Sequence, residues 1–368
     1  MKKRIALLGS TGSIGKQTLD VVRKFPGRLE VAALAAGSNT ELLESQVQEF
    51  RPVIISSTSG AYSSTSMDEM ASHPDIDLVV VATSGVAGLA PTMTAIQSGK
   101  AIALANKEVL VMAGAIVMAE SAKYGVEIRP IDSEHSALWQ CLQGESESEI
   151  ESIILTASGG AFRDLSYAEL EGVTAEEALN HPTWNMGPKV TIDSANLMNK
   201  GMEVIEAHWL FGVPFDRIKV MIHPGSIIHS MVQFSDSSVK AQLGAPDMRL
   251  PIQYALSYPE RWNNPDLPRT DFAEINSLKL MPIDFGMYPC LRLAFEAGER
   301  GGTVPAVLSA ADEVAVALFL KGEIGFLDIP RLLEDTLGRH SPVQDPSLED
   351  ILSADAWARE MADRWCKV

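Results

Sequence analysis

The first third of the chain alternates short, almost wholly apolar runs with segments of helical spacing. That alternation most constrains the fold. Residues 4–8, 31–36, 53–56, 78–82, 101–105 and 126–130 read as strands, and 16–24, 40–50, 91–98 and 107–124 have the spacing of helices. Strands that follow one another through helices imply a parallel sheet with helices on both faces. Residues 56–66 break the rhythm. They are rich in Ser, Thr, Gly and Ala and read as an exposed loop.

The character changes near residue 150. A strand at 153–156 is followed by Ser158-Gly159-Gly160, and 220–222, 227–234 and 239–243 suggest a smaller sheet. Residues 190–198 and 201–210 flank a dense polar cluster. Three prolines mark 258–268 as a linker, and the chain beyond Tyr288 is mostly helical and acidic. The expectation is an α/β chain in three parts. A Rossmann-like parallel sheet occupies 1–131, a central α+β domain 132–257, and a helical domain 286–368, joined by a linker at 258–285.

A net charge of −18 argues against a nucleic-acid partner and against docking on an anionic membrane. It also means that an anionic substrate needs a local positive site. Cys141, Cys290 and Cys366 are far apart and odd in number, as expected of reduced thiols in the cytoplasm. The apolar run after the basic N-terminus is cut short by Gly9, too soon for a signal peptide, and no stretch reaches the length of a membrane span.

Gly9-Ser10-Thr11-Gly12-Ser13-Ile14-Gly15 lies between the first strand and the first helix. Glycines there let the backbone approach a pyrophosphate, and the helix end offers free N–H groups. The spacing is GxxGxxG rather than GxGxxG, so a tight structural turn is the other reading. After the second strand stands Gly37-Ser38-Asn39, where NAD enzymes place a carboxylate to hold the ribose 2′-hydroxyl. Its absence favours NADPH, although no cation is there to attract a 2′-phosphate. Ser38 and Asn39 equally suit a helix cap. Asn106-Lys107-Glu108, at the end of the 101–105 strand, fits a ligand edge or an ordinary helix start.

The chemistry is suggested further on. If 131–134 stays extended, Asp132 and Glu134 point to one side and ask for a hard cation such as Mg²⁺ or Mn²⁺. The alternative is an acidic helix cap. Asn199, Lys200 and Glu203 share a face if their segment is helical. They offer a third carboxylate and a cation, or else an exposed ion pair of little consequence. Ser158 with its two glycines suits a phosphate, or a simple turn. His181-Pro182-Thr183-Trp184-Asn185-Met186-Gly187-Pro188-Lys189 reads as a loop whose tryptophan either covers a site or packs into the core. No activating motif surrounds Cys141, and no Gly-x-Ser-x-Gly elbow is present.

Taken in order, GSTGSIG, AGSN, LANKE, IDSEH, TASGGAFR, HPTWNMGPKVTIDSANLMNKGMEVIEA and APDMR resemble the 1-deoxy-D-xylulose 5-phosphate reductoisomerase family along nearly the whole chain. The resemblance implies a homodimer that uses NADPH and Mg²⁺, Mn²⁺ or Co²⁺ to turn a phosphorylated sugar into 2-C-methyl-D-erythritol 4-phosphate. It puts NADPH on Thr11, Gly12, Ser13, Ile14, Gly37, Ser38, Asn39, Asn106, Glu108 and Gly187, and the metal on Asp132, Glu134 and Glu203. It puts substrate on Lys107, Ser133, Glu134, Ser158, His181, Ser194, Asn199, Lys200 and Glu203, beneath a lid carrying Trp184. Lys107, Glu134, His181 and Glu203 would be catalytic. Two departures stand out: the 50–78 region is short for the family, and Ser38 stands where some members carry a basic residue. Two other readings are an NADP-dependent semialdehyde dehydrogenase, which needs an activated cysteine, and a non-catalytic NADP-sensing regulator, which needs no carboxylate triad.

Overall fold

A computed structural model describes residues 2–59, 62, 65–184 and 186–365. Part of the 56–66 loop, and Cys366, lie outside these. The described chain forms two compact units: Met1–Val109 with Ala115–Ser136 and Asp247–Arg269, and Leu110–Gly114 with Ala137–Pro246 and Thr270–Val368.

The first unit holds β1 (Lys3–Leu8), β2 (Leu29–Ala36), β3 (Ile54–Ser57), β4 (Leu78–Val81), β5 (Ala101–Leu104) and β6 (Ile128–Pro130). They form one parallel sheet in the order β3-β2-β1-β4-β5-β6. Ile5–Leu8 and all of β4 are buried, as strands covered on both faces must be. The crossovers use α1 (Ser13–Lys24), α2 (Thr40–Phe50), α3 (Met67–Ser72), α4 (Leu89–Gln97) and α5 (Glu108–Tyr124). The short α3 is unexpected. A capping box between Ser66 and Glu69 starts it, so the shortened 50–78 region still carries a strand and a helix. The strand order reverses between β1 and β4, which puts a ligand crevice beyond their carboxyl ends.

The second unit contains most of α6 (Ser133–Cys141), then β7 (Ile150–Ala157), α7 (Ala175–Ala178), α8 (Pro188–Asn196), α9 (Met198–Phe211), β8 (Ile218–Ile222), β9 (Ile228–Phe234) and β10 (Val239–Leu243). A further helix, α10 (Arg249–Ser257), returns to the first unit and adds Ile252, Ala255 and Leu256 to its core. Then come β11 (Met281–Pro282), α11 (Pro289–Arg300), α12 (Val304–Leu320), α13 (Asp328–Arg339) and α14 (Leu348–Arg364). The sheet is mixed, in the order β10-β9-β7-β8-β11, with only β7 and β8 parallel.

Helix α9 is buried on both sides. Val204, Ala207 and Phe211 pack with Ile153, Leu155 and Val232 of the sheet. Met202 and Ile205 pack with Leu293, Ala294 and Val307 of the C-terminal helices. A Cβ at Gly201 would come within 2.3 Å of the Ala294 Cβ, so only glycine lets α11 approach here. Among the described residues, no helix is long and apolar enough to cross a membrane.

Candidate active site

The glycine turn of the first unit is tightly built. Gly9 has φ +92°, and a Cβ there would lie 2.3 Å from the Ala82 carbonyl oxygen. A Cβ at Gly15 would lie 2.2 Å from the Gly9 carbonyl oxygen, whereas Gly12 has room. Gln46 on α2 steadies the turn by donating to the Ser10 carbonyl at 3.0 Å. Helix α1 begins at Gly12 with no side-chain cap and no acidic residue in its first turn. Its first N–H groups and positive dipole end therefore suit a phosphate. Gly37, Ser38 and Asn39 are exposed at the end of β2. Asn39 does cap the next helix, accepting the Leu42 N–H at 3.2 Å. Asn106 and Glu108 are buried. The Asn106 amide donates to Gly85 and Thr83 and accepts from Val109, so this side chain fixes the start of α5 and the turn beside it.

At the end of β6 the extended premise fails. Ser136 N–H donates to the Asp132 carbonyl at 2.8 Å and α6 starts at Ser133. Asp132 therefore stands at a helix start and Glu134 in its first turn. Lys107 Nζ lies 2.5 Å from Asp132 Oδ2, with both side chains largely buried. The Ser133 hydroxyl donates to Glu134 Oε2 at 2.6 Å. Two carboxylates two residues apart, one already drawing an ammonium, make a donor set that fits a hard divalent cation.

In the second unit, Ser158 follows β7. The next two residues have φ +86° and +68°, and a Cβ at Gly160 would lie 2.4 Å from the Ser194 carbonyl oxygen. Glycine thus brings the Ser158 turn against α8 at Ser194. His181 Nδ1 accepts the Thr183 and Trp184 N–H groups at 3.1 and 2.8 Å. The ring proton is therefore on Nε2, which donates to Ser158 Oγ at 2.9 Å. Gly160 N–H also donates to Ser158 Oγ, at 3.2 Å. With both lone pairs engaged, the Ser158 hydroxyl keeps its own proton for a ligand. Burial, helped by the Arg163 charge, lowers the His181 pKa from 6.5 to about 4.

His229 stands in no motif that sequence reasoning could single out. It is buried on β9, its ring centroid 6.3 Å from that of Trp184, and burial lowers its pKa to about 4 as well. Arg163, which donates to the Ser158 carbonyl at 3.2 Å, was equally silent. Trp184 is half-buried on its loop. Gly187 caps α8 through its backbone, ahead of Pro188.

Helix α9 starts after Leu197, which has φ +60°. Asn199 Nδ2 donates to Glu203 Oε1 at 2.5 Å, and Lys200 Nζ to Glu203 Oε2. The shared face is as expected, but the exposed pair is not: Lys200 and Glu203 are both buried. The structure thus assembles the predicted residues in two sets. Thr11–Ile14, Gly37–Asn39, Asn106–Glu108 and Asp132–Glu134 lie in the first unit. Ser158, His181, Trp184, Gly187, Ser194, Asn199, Lys200 and Glu203 lie in the second.

Three family models match successive parts of the chain. They describe 1-deoxy-D-xylulose 5-phosphate reductoisomerase over residues 5–114, its C-terminal domain over 128–211, and the DXP reductoisomerase C-terminal domain over 243–361. The 1-deoxy-D-xylulose 5-phosphate reductoisomerases of Shouchella clausii and Geobacillus kaustophilus are 52% and 53% identical to it. Each match covers 97% of this chain, and 99% and 98% of theirs. The chain belongs to the 1-deoxy-D-xylulose 5-phosphate reductoisomerase family.

Solved reductoisomerases share its fold. A DOX-P reductoisomerase in complex with NADPH, fosmidomycin and magnesium matches with a TM-score of 0.93 at 37% identity, over 99% of this chain and 98% of that one. The Zymomonas mobilis reductoisomerase in complex with NADPH matches with a TM-score of 0.91 at 38% identity, over the full length of both. A dehydrogenase that works through a cysteine does not suit this reductoisomerase fold. Burial raises the Cys141 pKa to about 11 and that of Cys290 well above its ordinary value, so neither thiol is activated.

Proposed function

We propose that the chain converts 1-deoxy-D-xylulose 5-phosphate to 2-C-methyl-D-erythritol 4-phosphate, using NADPH and a divalent cation, Mg²⁺ or Mn²⁺, with Co²⁺ as a substitute. The reaction is a skeletal rearrangement, by retro-aldol and aldol steps, followed by reduction of the resulting aldehyde. The observation that carries this reading is identity of 52% and 53% to named reductoisomerases over almost the whole of both chains.

Asp132, Glu134 and Glu203 would hold the cation; Thr11, Gly12, Ser13, Ile14, Gly37, Ser38, Asn39, Asn106, Glu108 and Gly187 would line the NADPH site. When bound, the cation polarises the substrate ketone as a Lewis acid and NADPH supplies the hydride. The chain's own residues bind and orient. Ser158 presents its hydroxyl proton to the substrate phosphate, with Ser194, Asn199 and Lys200 completing the anion site. Lys200 brings the positive charge that an acidic protein must supply locally. His181 is neutral at physiological pH, so its part is to aim Ser158 and not to carry charge. Lys107 and Ser133 steer the carboxylates and the reacting oxygens. Trp184, backed by His229, covers the site and excludes water. A cytoplasmic homodimer belongs to the same reading.

The test is product analysis. With 1-deoxy-D-xylulose 5-phosphate, NADPH and Mg²⁺, one NADPH is expected to disappear for each 2-C-methyl-D-erythritol 4-phosphate formed. A folded, NADPH-binding protein that makes no product would contradict the proposal and favour a sensing role.

A further inference from the structure

Lys189 is the second residue of α8, directly after the loop that carries His181 and Trp184. Its Nζ lies 2.6 Å from Asp193 Oδ2, one turn along the same helix, and 2.8 Å from Asp312 Oδ2, midway along α12. Met202 Sδ of α9 is 3.7 Å away. Asp193 and Asp312 are 1% and 0% exposed. Asp312 sits in VPAVLSAADEVAVALFL, an otherwise largely apolar helix, and its Oδ1 has no hydrogen-bond partner among the described residues.

Such a cluster is weak evidence for stability. Two carboxylates and one ammonium have left water here, and their attraction need not outweigh the cost of that desolvation. An apolar side chain of similar size at Asp312 would spare the desolvation of one carboxylate and leave Lys189 paired with Asp193. What the cluster does provide is a third fixed point for α8. This helix has nine residues, begins without a side-chain cap and ends at a left-handed Leu197. Ile192 and Ala195 pack its apolar face into the core with the C-terminal helices, and the Lys189–Asp312 pair adds a polar tie at its first turn. The rotation of α8 about its axis decides where Ser194 points, because Ser194 follows Asp193 directly and its carbonyl meets Gly160. It also decides where the 181–187 loop leaves the helix.

We propose that Asp312 is a positioning residue: through Lys189 it sets the rotation of α8, and so holds Ser194 and the His181–Trp184 loop in their substrate-binding arrangement. This rests on the assignment of Ser194 and Trp184 to the substrate site. The residue is remote in sequence and fully buried, so its effect must appear as geometry and not as chemistry.

The test compares Asp312→Leu, Asp312→Ala and Asp312→Asn with the full-length protein, alongside Ser194→Ala and Trp184→Ala. Asp312→Leu cuts the link and leaves Lys189 paired with Asp193, and Asp312→Ala does so without added bulk. Asp312→Asn keeps an oxygen in place to accept from Lys189. The expected result is that Asp312→Leu and Asp312→Ala melt close to the wild type but raise KM for 1-deoxy-D-xylulose 5-phosphate about tenfold, with a smaller effect on kcat. Hydrogen exchange of the 181–187 peptide should quicken in both, whereas Asp312→Asn should restore KM and protection. Folded Leu and Ala variants with unchanged KM and loop exchange would overturn the proposal. If Ser194→Ala and Trp184→Ala leave KM unchanged, it is the site assignment that fails instead.

Discussion

Replacing Gly160 with alanine tests how the phosphate end is held together. The new Cβ would lie 2.4 Å from the Ser194 carbonyl oxygen and 2.5 Å from the Ala195 Cα. Normal contacts need about 3.5 Å, so the turn and α8 must part by about 1 Å. The φ of +68° adds a cost of roughly 1 kcal/mol for any residue with a Cβ. Gly212 is a matched control: its φ is +63° and a Cβ there meets nothing within 4 Å. Gly212→Ala should lose the same conformational energy, about 1 kcal/mol, and keep its kinetics. Gly160→Ala should lose more stability and drop kcat/KM roughly 100-fold, the scale set by a 1 Å misplacement. Most of that loss should appear in KM, because the residues displaced hold the phosphate. Urea denaturation and steady-state NADPH oxidation read both quantities. A Gly160→Ala enzyme with the kinetics of Gly212→Ala would refute the argument that this close approach aligns Ser158 with Ser194.

Other outcomes follow from the same geometry. The folded pKa values of His181 and His229 are lowered from 6.5 to about 4, so between these values the unfolded chain binds more protons. The resulting stability is complete above pH 6.5 and is lost as pH falls towards 4. His229→Gln should show a smaller drop in urea midpoint between pH 7 and pH 5 than the wild type, and an equal drop would contradict the assignment. Ser38→Arg should tighten NADPH about tenfold relative to NADH in a fluorescence titration, through a charge-assisted bond to the 2′-phosphate; an unchanged ratio would place the 2′-phosphate elsewhere. Cys141→Ala should leave kcat within twofold of wild type, since a thiol with a pKa near 11 is no nucleophile at neutral pH.

The parallel sheet was legible because strands buried on both faces read as unbroken apolar runs. The long helices between them carry clear periodicity. The six residues of α3 were missed, as a single helical turn and a half has almost no period, although Ser66 and Glu69 do spell a capping box. Helix α10 could not be placed: its apolar face says that it packs, not that it returns to the first sheet. At the site, the i, i+1, i+4 spacing of Asn199, Lys200 and Glu203 was enough to give a shared face, but burial of the pair depends on α11 and the sheet closing around α9. Asp132 and Glu134 were read as a strand, and the helix starting at Ser133 overrules this. His229 and Asp312 were invisible because each sits in a largely apolar segment with no motif around it, given meaning only by a partner far away in sequence.

The most direct test of the assigned function is turnover as a function of metal. NADPH oxidation driven by 1-deoxy-D-xylulose 5-phosphate would be followed as Mg²⁺ is titrated into metal-stripped wild type and Asp132→Asn. The account expects no turnover with EDTA, saturable recovery in the wild type, and recovery in the variant only at Mg²⁺ concentrations at least about tenfold higher, as loss of one charged ligand implies. Turnover that persists without metal, or a variant that responds to Mg²⁺ as the wild type does, would contradict it.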